Sequence, residues 1–232
     1  MRPPSDHAGP WRRRRLVLGA VAGLAVWAGV VAYVVATHVD DAPPARGDGL
    51  RADALPAGLE RTAAPRIALR SARGERVDTA ALAGRPFAVT FLYARCGDVC
   101  PLIGQELRAA LAQLGPAARE TAVVAVSVDP RGDTPETVRA WLERQRMPAG
   151  FAYLIGSQRR LEPVWHDWFV APQIPGRPET STHTASIWLV DARGRRRGVF
   201  PGGRAAARDI AHDLRMLIAE ARADRAAAGA QR

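Results

Sequence analysis

Lysine is absent from this 232-residue chain, so all 33 basic residues are arginine. Five of them, with one acid, fall within residues 1–15, which leaves 28 basic against 22 acidic residues for the rest. Those 28 are scattered and form no stripe interleaved with aromatics, which make up only 6% of the chain. That pattern argues against a nucleic-acid partner. No stretch repeats itself, which removes solenoid and propeller architectures. Cysteine is nearly absent: Cys96 and Cys100 are the only two, so the chain can form one internal disulfide or one thiolate pair. No cysteine follows the apolar run near the N-terminus, and a lipoprotein anchor is thereby excluded. Against these absences, 47% of the residues are hydrophobic, ample for a core in a length that suits one globular unit with additions.

The apolar run extends from Leu16 to Ala36, 21 residues without a charge, directly after Arg12 to Arg15. A spanning helix needs about 20 apolar residues. A cleavable signal has a shorter apolar region, about 7–15 residues, and a small-x-small site. Val35-Ala36-Thr37-His38 is a poor match to such a site. The expectation is a retained single-pass anchor over 16–36 in a bacterial inner membrane. The basic residues 1–15 then stay in the cytoplasm, and the C-terminal domain faces the periplasm. Residues 37–60, rich in Pro, Gly, Ala and Asp without periodicity, read as a flexible linker. A folded domain over 61–222 and a C-terminal tail over 223–232 complete the division.

Within the domain, Arg66 to Val77 reads as a hairpin with Gly74 in its turn, and Phe87 to Tyr93 as an apolar strand. A helix from the cysteine turn to about Leu114 follows, then a buried strand over Thr121 to Val128. Pro135 to Arg146 reads as a helix with Val138, Trp141 and Leu142 on one face. Strands are expected at Phe151 to Ile155 and Ser186 to Val190, with a helix around Leu161 to Trp168 between them. Gly194 turns a second hairpin into Gly198 to Phe200. A last helix carries Ile210, Leu214, Leu217 and Ile218. Strands alternating with helices specify an α/β sheet with some antiparallel edges. In such sheets, sites form at the carboxyl ends of parallel strands. The cysteine turn occupies one such end, and Asp129 in Ser127-Val128-Asp129-Pro130 occupies the next.

Two cysteines at i and i+4 of a helix share a face with Cα atoms about 6 Å apart, inside the disulfide range. The same spacing lets both sulfurs converge on one soft metal ion. Free amides at a helix start favour thiolate over thiol. The pair therefore reads as a redox switch, a metal clamp, or both. A plain structural disulfide would close a loop too short to join much. A two-thiolate site selects Cu(I) over hard cations and needs a third donor, for which histidine is the natural type. His7 precedes the apolar run, His38 follows it on the linker, and His166 and His212 read as helix-surface residues. His183 stands in Thr180-Ser181-Thr182-His183-Thr184, after a stretch holding Pro172, Pro175 and Pro178 and just before a strand. It is the candidate third ligand. Asp98 favours the dipole of the first helical turn, and Asp133 before Thr134-Pro135 is explained as a helix cap without chemistry.

Taken together, YARCGDVCP, SVDPRGDTPE and THTASIWLVDARG, in this order, resemble the motifs of the Sco/SenC family over roughly Arg66 to Ile218. The resemblance implies a thioredoxin-like fold with an N-terminal β-hairpin and an inserted hairpin or loop, preceded by one transmembrane helix. It implies copper, as Cu(I), Cu(II) or both, held by Cys96, Cys100 and His183. Asp129 would lie beside that site and orient His183 or a partner. The implied role is delivery of copper to, or maturation of, the binuclear copper site of cytochrome c oxidase. The implied partners are the copper-bearing oxidase subunit and a thiol reductant or another copper chaperone. The alternative is a thiol–disulfide oxidoreductase that reduces target cysteines through the Cys96–Cys100 pair without carrying copper. A peroxidase and a redox sensor are further readings of the same pair. The chain departs from the family where Ala94 and Gly97 replace the usual Thr and Pro, and where Arg95 adds a charge before the first cysteine.

Overall fold

In the computed structural model, which describes Trp27 and residues 46–56, 58–59, 62–172 and 185–231, the centre of the fold is a pair of almost wholly apolar strands. Strand β3 (Phe87–Leu92) is buried at every residue, and β4 (Ala122–Ser127) at every residue but the first. They pair in parallel, Phe87 opposite Ala122 through Leu92 opposite Ser127. Strands covered on both faces need no polar alternation, which is why these runs read as continuous hydrophobic segments. Strand β5 (Phe151–Ile155) extends the parallel part beside β4. Beyond β5 comes the antiparallel hairpin β1 (Ala68–Ser71) and β2 (Arg76–Asp78), and beyond β3 the antiparallel pair β6 (Ser186–Val190) and β7 (Arg196–Pro201). The result is one seven-stranded mixed sheet in the order β2-β1-β5-β4-β3-β6-β7. Gly74 (φ 89°) and Gly194 (φ 76°) take the left-handed conformation that turns the two hairpins.

Helices cover both faces. Helix α1 (Val99–Leu114) buries Cys100, Ile103, Leu107, Ala110 and Leu114 at helical spacing and packs against α4 (Ala207–Ala230), which buries Ile210, Leu214, Leu217 and Ile218. Helix α2 (Pro135–Arg144) places Trp141 against Phe151 and Tyr153, with ring centroids 6.3 and 5.6 Å apart. Trp168, just past α3 (Gln158–Asp167), meets Phe91 and Trp188 at 6.0 and 5.8 Å. Tyr153 stands opposite Ala125, and Ala125 opposite Thr90, so these three share a sheet face. Phe91, the next residue, points to the other. The Trp141 and Trp168 clusters therefore cover opposite faces.

The chain divides into two compact units, Met1–Pro44 and Ala45–Arg232. The expected anchor over 16–36 lies outside the described residues except for Trp27, which is helical and exposed. Among the described residues no helix is long and apolar enough to cross a membrane. From Arg46 onward, the stretch expected to be flexible linker is packed onto the domain. Leu50, Ala52 and Leu55 are buried, and the buried Asp213 carboxylate accepts the Arg51 and Ala52 backbone N–H groups at 2.9 and 2.8 Å. The anchoring is through the backbone, which side-chain periodicity does not register. The expected tail is likewise helical to Ala230, with Arg225 and Asp224 paired to Glu120 and Arg193 at 3.2 and 2.7 Å.

Candidate metal centre

Strand β3 leaves the sheet at Leu92 into a short turn, where the Cys96 N–H donates to the Tyr93 carbonyl at 3.2 Å. Helix α1 begins three residues after Cys96, and Cys100 is its second residue. No disulfide joins the two cysteines, and both are buried. Asp98, at the N-cap, makes no side-chain cap bond and is exposed. The sulfur of Cys96 takes that role instead, accepting the Cys100 N–H at 3.4 Å. The two sulfurs thus lie together at the positive end of a sixteen-residue helix.

The environment splits the pair. A hydrogen bond from the Cys100 thiol, helped by the backbone amides of Cys100 and Asp98 and the Tyr93 side chain, outweighs burial and holds Cys96 down at about 5. The same hydrogen bond, with burial and the Cys96 charge, pushes Cys100 well above the ordinary thiol range. The arrangement favours the thiolate at Cys96 and the thiol at Cys100.

Beneath the turn lies a group that the sequence reading assigned to capping. Asp133 is buried: one carboxylate oxygen accepts the Ala94 N–H at 2.8 Å and the other the Tyr153 hydroxyl at 3.0 Å. Burial raises it to about 6, although the Ala94 amide and the Ser127 and Tyr153 hydroxyls pull the other way. The helix cap is Thr134, whose hydroxyl accepts the Thr137 N–H at 3.2 Å while Thr137 answers in a reciprocal box. The reason is local: Thr before Pro at N1 already satisfies the helix start, which frees Asp133 to turn inward. That redundancy of capping residues was the available signal.

Asp129 stands at the carboxyl end of β4, as expected, and its carboxylate accepts the Gly132 N–H at 2.9 Å within its own loop. Arg95 reaches the same spot, its Nε 3.3 Å from where a Cβ on Gly132 would stand. His183 lies outside the described residues, as do His7 and His38. His166 is exposed beside Asp167, and His212 is half-buried with Nδ1 2.9 Å from Asp213. Among the described residues no group of three or more His, Cys, Asp or Glu side chains is placed to hold a metal ion.

A mixed sheet with a C-x₃-C turn between its central strand and the following helix defines a thioredoxin-like α/β protein. Residues 60–219 match the model of the SCO1/SenC family, and the chain belongs to that family. Among solved structures it is similar to copper-bound ScoI of Bradyrhizobium japonicum, at 27% identity over 67% of this chain and 99% of that one, with a TM-score of 0.59. It is similar to apo Sco1 of Thermus thermophilus at 25% identity, over 72% of this chain and 96% of that one, TM-score 0.59. The fold is shared as well with BsSco, described as a Sco-family cytochrome c oxidase assembly protein with a disulfide switch, at 19% identity over 68% and 94% of the two chains, TM-score 0.58. The comparison with curated proteins gives no match.

Proposed function

We propose that this protein is a membrane-anchored copper carrier that delivers copper to, or matures, the binuclear copper site of cytochrome c oxidase. The observation that carries the reading is the pair of adjacent buried cysteines at the start of a helix at the carboxyl end of β3, in a chain of the SCO1/SenC family. Copper is the cargo, bound and passed on. Cys96 and Cys100 fit it as two soft sulfur donors, and the imidazole of His183 would supply the third. Cys96 offers its thiolate directly, and Cys100 gives up a proton on binding, so loading releases protons. Strand β6 starts beside the exit of β3, Ile187 opposite Thr90. The three residues from Ser186 back to His183 reach at most about 10 Å from there. Copper bound to the similar ScoI supports the assignment. Asp129 is the group we assign to orienting His183 or a partner. The span over 16–36 anchors the domain on the periplasmic side of the bacterial inner membrane, where the copper-bearing oxidase subunit and a thiol reductant or copper donor are its partners.

The test is the Cu(I) affinity of the full chain in detergent against a competing chelator, with Cys96→Ser, Cys100→Ser and His183→Ala alongside. Tight 1:1 binding that all three substitutions weaken is expected; wild type binding no better than the variants sinks the reading.

The split between the two thiols favours a second reading, thiol–disulfide exchange. The Cys96 thiolate attacks one sulfur of a target disulfide, forming a mixed disulfide and releasing one target thiolate. Cys100, once deprotonated, attacks Cys96, forms the Cys96–Cys100 disulfide and releases the target's second thiol. His183→Ala abolishes copper delivery and spares this turnover, which separates the two.

A further inference from the structure

Asp133 is buried beneath the cysteine turn, although Thr134 by itself caps α2. Burying a carboxylate costs more than burying an amide or an apolar group of like size. Neither capping nor packing therefore accounts for an acid at this place. Its partners do. The Ala94 N–H donates to one oxygen at 2.8 Å, the Tyr153 hydroxyl to the other at 3.0 Å, and the Ser127 hydroxyl adds a third bond. All three are donors, and an ionised carboxylate only accepts.

Those partners belong to three neighbouring strands. Ala94 lies two residues past β3, Ser127 is the last residue of β4, and Tyr153 is the middle residue of β5. The Asp133 N–H also donates to the Asp129 carbonyl at 2.9 Å, which closes the loop that carries Asp129. One residue thus joins that loop and the cysteine turn to the end of the sheet. Ala94 is two residues ahead of Cys96, whose sulfur must stay at the start of α1 to accept the Cys100 N–H at 3.4 Å. The bond at Ala94 fixes the turn on its strand side, and α1 fixes it on the other.

We propose that Asp133 is a positioning residue for the cysteine pair: holding Ala94, and held by Tyr153 and Ser127, it keeps the two sulfurs in the arrangement that captures a soft metal ion. The proposal rests on Cys96 and Cys100 being the copper donors. Removing a group that orients metal ligands from behind weakens the metal about 10–100-fold. The role belongs to the hydrogen bonds and not to the charge, since a negative charge alone opposes thiolates beside it.

The test uses the full chain in nonionic detergent. Thiolate absorbance of the reduced protein is titrated without metal, and Cu(I) affinity is measured against a competing chelator. Asp133→Ala is expected to move the first-thiol midpoint upward by about one pH unit, the worth of about one hydrogen bond. It should also weaken Cu(I) binding about tenfold or more. Asp133→Asn offers its oxygen to Ala94 and an amide N–H to the Tyr153 oxygen, so it should keep the wild-type midpoint and affinity. Tyr153→Phe should move both partway. Asp213→Ala, which frees the N-terminal segment and leaves the turn alone, should move neither. If Asp133→Ala does not fold, Tyr153→Phe carries the comparison. An unmoved midpoint in Asp133→Ala overturns the proposal, as does an equal movement in Asp213→Ala. So does a midpoint lowered alike by alanine and asparagine, the signature of a charge. Wild type that binds no Cu(I) removes the copper reading instead, and the metal-free titration still decides whether Asp133 positions the thiols.

Discussion

The two cysteines differ although they share a hydrogen bond. Cys96 collects donors from Cys100, the helix amides and Tyr93, while Cys100 is deeper and faces the charge of Cys96. We expect the ultraviolet thiolate absorbance of the reduced protein to titrate near pH 5 for the first thiol. Cys100→Ala should move that midpoint upward, because the largest stabilising contact is lost; an unmoved midpoint would refute the asymmetry. Asp133 yields a pH prediction of opposite sense to the usual carboxylate. Its folded value, about 6, lies above the ordinary 3.8, so the folded protein holds this proton more tightly than the unfolded chain. Its contribution to stability is complete below the ordinary value and is lost as pH rises through about 6. Urea unfolding of wild type and Asp133→Asn should show their stability gap moving against wild type by on the order of 2–3 kcal/mol between pH 3 and pH 7. A gap that does not change with pH would remove the buried carboxylate from the account. The cysteines were legible because they are the only pair; Asp133 was not, because its burial depends on Tyr153 and Ala94, 20 and 39 residues away.

At the level of elements, α1 does two jobs: its first turn positions the sulfurs and its middle sets how closely the helix lies to α2. Gly104 allows the second, since a Cβ there would stand 2.9 and 3.1 Å from two ring carbons of Trp141. Gly104→Ala gains about 1 kcal/mol of helix propensity but overpacks a ring that also abuts Phe151 and Tyr153, at about 1–3 kcal/mol. The expected outcome is net destabilisation in chemical denaturation; a more stable variant would show that Trp141 yields freely. The elements themselves were readable, because β3 and β4 are continuously apolar and α2 and α4 are periodic. Helix α3 begins at Gln158, ahead of the expected Leu161. Its opening residues are exposed arginine and glutamine, which carry no hydrophobic signal.

Across the whole molecule, the N-terminal segment and α4 hold each other through Asp213, 162 residues from Arg51. Asp213→Ala leaves both the Arg51 and the Ala52 N–H without their acceptor. A loss of about 2–3 kcal/mol and faster proteolysis within residues 46–55 are expected. A fragment starting at residue 61 should likewise unfold at lower denaturant than one starting at residue 46. Equal midpoints would mean that Leu50, Ala52 and Leu55 add nothing to the core.

Sequence alone determined the α/β class, the two-thiol turn at a strand's end and the family motifs, because each rests on residues adjacent in the chain. Tertiary structure alone decided that the surroundings lower the Cys96 thiol and raise that of Cys100, that Asp133 lies under the turn, and that residues from Arg46 are part of the domain. It alone placed Arg196 among three rings. Each of these depends on burial and on partners brought from distant segments, and neither spacing nor composition encodes what a side chain will face once the sheet has closed over it.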